Sequence, residues 1–176
     1  MKKILALTLV AVLLAGCGAA SMKTGVGSVI SIAKSADATA EKAGLAQADV
    51  VMAAVTFDST GKIVGVDIDN AQVKINFDAT GVLTTDKAAE LKTKVELGDA
   101  YGMKKASGIG KEWYEQIADL EKWMVGKTVD QVKAMKVKKV DDSHPAVPDE
   151  ADLTSKVTVS VADYQAAVAK ALANAK

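Results

Sequence analysis

The sequence predicts an α+β domain, an antiparallel β-meander packed with C-terminal helices. Three observations carry that expectation. Segments with strand-like alternation fall between residues 24 and 77, apolar residues at helical spacing begin only near residue 110, and capping-box patterns stand at Thr128 and Ser160. A run of strands followed by a run of helices is the pattern of an α+β fold, in contrast to the strict alternation of α/β folds.

The chain has 176 residues, 49% of them hydrophobic and only 4% aromatic, which suits one domain. Lys+Arg and Asp+Glu balance at 22 each, and every basic residue is a lysine. Without a guanidinium there is no bidentate reading of guanine or phosphate, so sequence-specific nucleic-acid recognition is not expected.

Residues 1–16, MKKILALTLVAVLLAG, are two lysines, an apolar run short for a membrane span, and small residues ahead of Cys17. That is the pattern of a secretory signal. Leu13 to Cys17, LLAGC, resembles the bacterial lipobox, which implies cleavage before Cys17 and diacylation of its thiol. Cys17 is the single cysteine of the chain and has no disulfide partner, which agrees with acylation. Loss of residues 1–16 takes two lysines with it and leaves a net charge of −2, so no polybasic patch assists retention. Anchoring would rest on the acyl chains, at about 0.8 kcal/mol per buried CH₂. The expected organisation is a signal at 1–16, a lipidated tether at 17–23 and one domain at 24–176, lipid-anchored at the outer, extracytoplasmic face of the cell membrane.

In the segment 24–34, Val26, Ser28, Ile30 and Ile32 alternate with Gly25, Gly27, Val29 and Ser31, giving a strand with apolar residues on both faces. The small polar stretch that follows reads as a loop or a poor helix. Strands are expected at 50–57, 62–69 and 72–77, separated by the turns DSTG and DNA. After a further DATG turn, residues 84–105 read as irregular, with a short strand or a turn of helix. Trp113, Ile117, Leu120 and Met124 then recur at helical spacing until Gly126. Thr128 to Gln131 is a T-x-x-Q box opening a short helix to about residue 135. Ser160 to Asp163 is an S-x-x-D box ahead of a final helix with the stripe Val161, Tyr164, Val168, Leu172.

The string most informative about chemistry is DLTSKVTVS, residues 152–160. It lies just before the final helix, whose first turn offers unpaired N–H groups and partial positive charge, so Thr158 and Ser160 are placed to hold or carry a phosphate. The bland alternatives are that Ser160 is only a cap and that Thr158 is a β-branched residue of a strand, since KVTVSV also alternates.

This string resembles the attachment motif D-x-x-S-G-A-T-x-T/S of the FMN-binding-domain family, found in covalently flavinylated subunits of electron-shuttling membrane complexes and in cell-surface flavoproteins. Asp152, Ser155, Thr158 and Ser160 match. Lys156 stands where the family has glycine, whose backbone angles a lysine disfavours, and Val157 stands where it has alanine. A second string, ASGIGKEW at 106–113, is similar to the family's E-T-P-G-L-G segment, with Gly108 and Gly110 matching. TFDSTGKIVGVDID at 56–69 is similar to its strand, turn and strand. The match runs in the family's order over roughly residues 50–170. The chain also resembles a lipoprotein branch from anaerobic Gram-positive bacteria that shares DLTSxVT.

The resemblance implies an FMN-binding-domain-like fold and FMN joined to Thr158 by a flavin transferase. It implies Asp152, Ser155, Ser160, Gly108 and Gly110 as cofactor-binding residues. Its function would be electron relay between a membrane quinone or NADH oxidoreductase and an extracellular acceptor. The rival expectation is a flavin-free surface module that binds a small molecule or a protein.

The remaining candidates have plainer readings. Trp113 and Trp123 suit core packing as well as stacking on an isoalloxazine. His144, in DSHPAVPD, is the single histidine and builds no usual transition-metal site. The acids at 141, 142, 149, 150 and 152 lack the spacing of a Ca²⁺ loop, and the lysines at 133, 136, 138 and 139 suit a solvated face. A hydrolase is disfavoured for want of a nucleophile, histidine and acid set.

Overall fold

The structure is a computed structural model and describes residues 21–176. The signal at 1–16 and Cys17 lie outside the described residues.

Three strands form an antiparallel meander: β1 (Lys23–Ser31), β2 (Gly44–Phe57) and β3 (Ile63–Phe77), in the order β1-β2-β3. The turn between β2 and β3 is set by Asp58, whose carboxylate accepts from the Thr60 and Lys62 N–H groups and the Thr60 hydroxyl. Asp78 repeats the arrangement with Thr80 and Val82, so both D-x-T-G strings fold as the turns their composition predicts. One register shift, at Thr56/Phe57, marks a bulge near the hairpin.

Two strand expectations need correction. The stretches 62–69 and 72–77 are one 15-residue strand, because Asp69, Asn70 and Ala71 pair in register with Met52, Val51 and Val50. The strand expected at 50–57 begins six residues earlier, at Gly44. A long partner overrides the turn propensity of DNA.

The helices lie on one face of the sheet. They are α1 (Lys94–Leu97), continued by a 3₁₀ turn (Gly98–Tyr101), then α2 (Trp113–Met124), α3 (Val129–Lys133) and α4 (Ala162–Ala173). A two-stranded ribbon, β4 (Val137–Lys138) and β5 (Val147–Pro148), lies between α3 and α4. Val51, Ala53, Val55 and Ile68 of the sheet meet Trp113, Ile117, Leu120 and Met124 of α2 and Tyr164, Ala167, Val168 and Ala171 of α4 in one core. The opposite sheet face is open, with Val26 and Ile30 exposed. The glycines of β1 serve close packing: a Cβ on Gly25 or Gly27 would stand 2.0 Å from the carbonyl oxygen of Ala171 or Ala167. The free edge of β1 is covered by α4, whose Lys170 ammonium and Asn174 amide donate to the Ser28 and Val26 carbonyls.

The helix ends differ in how well the sequence foretells them. Thr128 caps α3 as the box predicts, accepting from the Gln131 N–H while Gln131 accepts from the Thr128 N–H. Ser160 does not cap α4. Val161 occupies that position with no side-chain cap, and the Ser160 hydroxyl accepts from the Ala146 N–H. Within the stripe expected for α4, Leu172 is exposed and Ala171 takes the buried place.

Candidate functional site

The segment carrying DLTSKVT is not a strand. Residues 150–157 wind into a helical turn, with Thr154 and Val157 N–H groups donating to the Glu150 and Leu153 carbonyls. Leu153 and Val157, four residues apart, plug into the core. Asp152, Ser155 and Lys156 consequently point outward and are exposed. Lys156 keeps a negative φ, so the position that is glycine in the resembled motif carries no backbone strain here.

Past that turn the chain runs along a cleft of about 770 Å³, with Thr158 and Ser160 on its wall. The facing wall is the loop before α2, including Ser107 and Gly108. The floor is the inner sheet face at Asp49, Val51, Asn70 and Gln72, and the segment 138–148 closes one side. Its volume lies in the range of small-molecule sites.

Gln116 joins the two motif-bearing segments. Its carbonyl accepts from the Thr158 N–H at 2.8 Å and the Thr158 hydroxyl at 3.2 Å, while its amide donates to Ser107 Oγ and the Lys111 carbonyl. Gln116 is fully buried on α2, so a loop near residue 107 and a turn near residue 158 share one rigid support. Glu112, also buried, fixes the same loop by accepting from the Met103 and Lys104 N–H groups. Gly110 ends the loop at φ +65°, a conformation that favours glycine.

Aromatic side chains wall the inner end. Trp113 donates its indole N–H to the Tyr164 hydroxyl at 3.0 Å, and the two rings meet edge to face at 6.1 Å. Burial pushes the Tyr164 hydroxyl up to about 12, so it stays a neutral partner at physiological pH. The Lys94 ammonium lies 4.8 Å from the Tyr101 ring centre and 5.2 Å from that of Trp113. Burial, reinforced by Lys34 and partly offset by Asp49, brings its pKa down to about 8. Asp49 gathers Gln47, Gln72 and Lys34 around its carboxylate. Burial would raise that carboxyl, but these donors outweigh it and hold it below the usual range.

No family model matches the chain. No solved structure matches it. A chlorophenol reductase from Desulfitobacterium hafniense is similar, at 32% identity over 117 residues, covering 55% of this chain and 33% of that protein. The chain thus spans about a third of the length of this relative.

Thr158, Ser160 and Gly108 come together at the cleft, whereas Asp152, Ser155 and Gly110 lie outside its lining. Trp113 is both a core residue and part of the cleft wall. Trp123 sits elsewhere, with the Lys127 ammonium 4.2 Å from its ring centre. His144 is bound to Asp141 in the exposed loop at the cleft's edge. Among the described residues no three His, Cys, Asp or Glu side chains form a metal-holding group, and no helix is long and apolar enough to cross a membrane.

Sequence reasoning missed Asp49, Asn70, Gln72, Lys94, Tyr101 and Gln116. Gln116 left a signal, a glutamine beside Ile117 on the apolar stripe of α2. So did Asn70 and Gln72, polar residues that, like Ile68, face the core side of β3.

Proposed function

We propose that the chain is a flavin carrier that holds FMN in this cleft, with Thr158 as the attachment point, and relays electrons. The observation that carries the reading is the meeting of its two family-like strings at one cleft, bridged by the single buried side chain of Gln116. The residues present suit the group. Trp113 and Tyr101 give flat apolar walls, Ser107 and Ser160 add hydroxyls, and Asn70 Oδ1 is a buried acceptor with no hydrogen-bond donor among the described residues. A threonine hydroxyl at the cleft wall, oriented by Gln116, suits an ester to a phosphate.

FMN supplies reversible uptake and release of electrons when bound, so no protein nucleophile or general acid is required. The protein's part is to hold and to exclude water. Val157 and Leu153 anchor the attachment turn, Glu112 fixes the facing loop, and the aromatic pair keeps the inner end dry. Similarity to a protein named as a reductase supports a redox setting. On this reading Cys17 carries the lipid that keeps the domain at the extracytoplasmic face of the cell membrane. The donor is then a membrane oxidoreductase, the acceptor is extracellular, and a flavin transferase loads the cofactor.

The test is intact mass of the protein co-expressed with its host's flavin transferase, beside Thr158→Ala. The expected result is a gain of one FMN less one water in the wild type alone. An unmodified, colourless wild type overturns the carrier reading and favours a flavin-free binding module, for which the same cleft is the site.

A further inference from the structure

Two buried polar groups on the cleft lack a full set of partners among the described residues. Lys94 is 8% exposed, yet no described residue pairs with its ammonium or accepts a hydrogen bond from it; only the Tyr101 and Trp113 rings face it. Asn70 is 7% exposed; its side-chain amide lies against the Tyr164 hydroxyl, and its Oδ1 is the buried side-chain atom left without a donor among the described residues. Buried lysines and amides are ordinarily satisfied, so each orphan points to something that completes it.

The fold sets these two side by side. Ala71, next to Asn70, bridges Thr93, next to Lys94, and the Asp69 carboxylate accepts from the Val95 N–H at 3.2 Å. The start of α1 is thereby stitched to β3 on both sides of Asn70, and both side chains line the same cleft beside the Trp113 and Tyr101 rings.

Their chemistry is complementary. An ammonium only donates, and an amide oxygen only accepts. A carboxylate would satisfy Lys94 but would offer Asn70 Oδ1 no proton, and a phosphate that keeps a P–O–H offers no flat face to the rings beside it. A ring edge bearing a carbonyl oxygen next to an N–H satisfies both at once, and a planar ring suits the aromatic wall.

We infer that Lys94 and Asn70 form the recognition pair for an imide-type ring edge, with the ammonium donating to its carbonyl and Asn70 Oδ1 accepting from its N–H. This rests on the flavin reading above, in which that edge is the pyrimidine side of the isoalloxazine. It assigns the ring end of the cofactor to the floor at β3 and α1, and the phosphate end to Thr158. Lys94 and Asn70 are specificity residues here, because another planar aromatic ligand without the imide would leave both unsatisfied.

The experiment titrates the wild-type protein with riboflavin, N3-methylriboflavin, FMN and orthophosphate, following tryptophan fluorescence, and repeats the flavins on Lys94→Met and Asn70→Leu. In the wild type, the N3-methyl compound binds about ten-fold more weakly than riboflavin, since methylation removes the proton offered to Asn70. Asn70→Leu abolishes that difference, and Lys94→Met weakens both flavins about ten-fold without lowering thermal stability. The N3-methyl comparison needs no variant, so a misfolded Asn70→Leu does not blunt the test. Equal binding of the two flavins by the wild type, or undiminished flavin affinity in Lys94→Met, overturns the pair while leaving the carrier reading intact. Orthophosphate that competes fully with riboflavin converts the floor to an anion site and also overturns it. A wild type that takes up no flavin overturns both readings together.

Discussion

Lys94 is a buried ammonium faced by two aromatic rings, and replacing it by methionine measures what its burial costs the fold. A methionine keeps the packing of the aliphatic stem and removes the charge. Burial that lowers the pKa from 10.5 to about 8 corresponds to a cost of about 3 kcal/mol for keeping the ammonium charged at neutral pH. The two aromatic rings at 4.8 and 5.2 Å return about 1–2 kcal/mol of this. Lys94→Met is therefore expected to stabilise the ligand-free protein by about 1–2 kcal/mol at pH 7, a rise in Tm of about 2–8 °C for a domain this size. The sign with pH follows from linkage. Between about 8 and 10.5 the unfolded lysine holds its proton while the folded one has released it, so wild-type stability gains as pH rises through that window. The advantage of the variant should shrink accordingly. Circular-dichroism melts of both proteins at pH 7, 9 and 10 make the check. A variant less stable at pH 7, or an advantage that does not change up to pH 10, refutes the reasoning.

Three further outcomes follow from the packing. Gly27→Ala drives a Cβ to 2.0 Å from the Ala167 carbonyl oxygen, and urea denaturation should show a loss of more than about 3 kcal/mol because strand and helix must separate. Glu121 accepts from the Ile68 N–H, and burial, opposed by that bond and reinforced by Asp67 and Asp69, raises its pKa to about 7. The folded state then binds the extra proton between pH 4.5 and about 7, so stability should fall as pH rises through that range. Solvent screening limits the loss to about 1 kcal/mol, and melts of Glu121→Gln should show less of it. Gln116→Leu orphans the Thr158 N–H, which should cost about 1–3 kcal/mol and speed exchange of that amide in hydrogen-exchange measurements.

Much of the fold was legible because it is local. Asp58 and Asp78 announce their turns, Thr128 and Gln131 their cap, and the spacing of Trp113, Ile117, Leu120 and Met124 the length of α2. Asn70 misled for a physical reason: Asp-Asn-Ala is turn-like by composition, but pairing with Met52, Val51 and Val50 outweighs it. Ser160 misled in a similar way, since an N-cap pattern records a local option and the Ala146 N–H offered another. At the site, the strings around Gly108 and Thr158 were readable one at a time, while their convergence on Gln116 was not. Lys94 was beyond reach, because nothing in KTKVEL distinguishes a lysine that will be buried from its exposed neighbours, and only the closing of α1 over β3 decides it.

The seating of α4 on β1 bears on how the chain acquires its shape. Two glycines and an uncovered edge make the first strand a weak structure alone, and the groups that fill and cap it stand about 140 residues later, at Ala167, Lys170, Ala171 and Asn174. A polypeptide emerging from its N-terminal end presents β1 long before α4 exists. Completing this half of the sheet therefore needs a closure between the two ends of the domain, the kind of long-range contact whose loop-closure entropy slows folding.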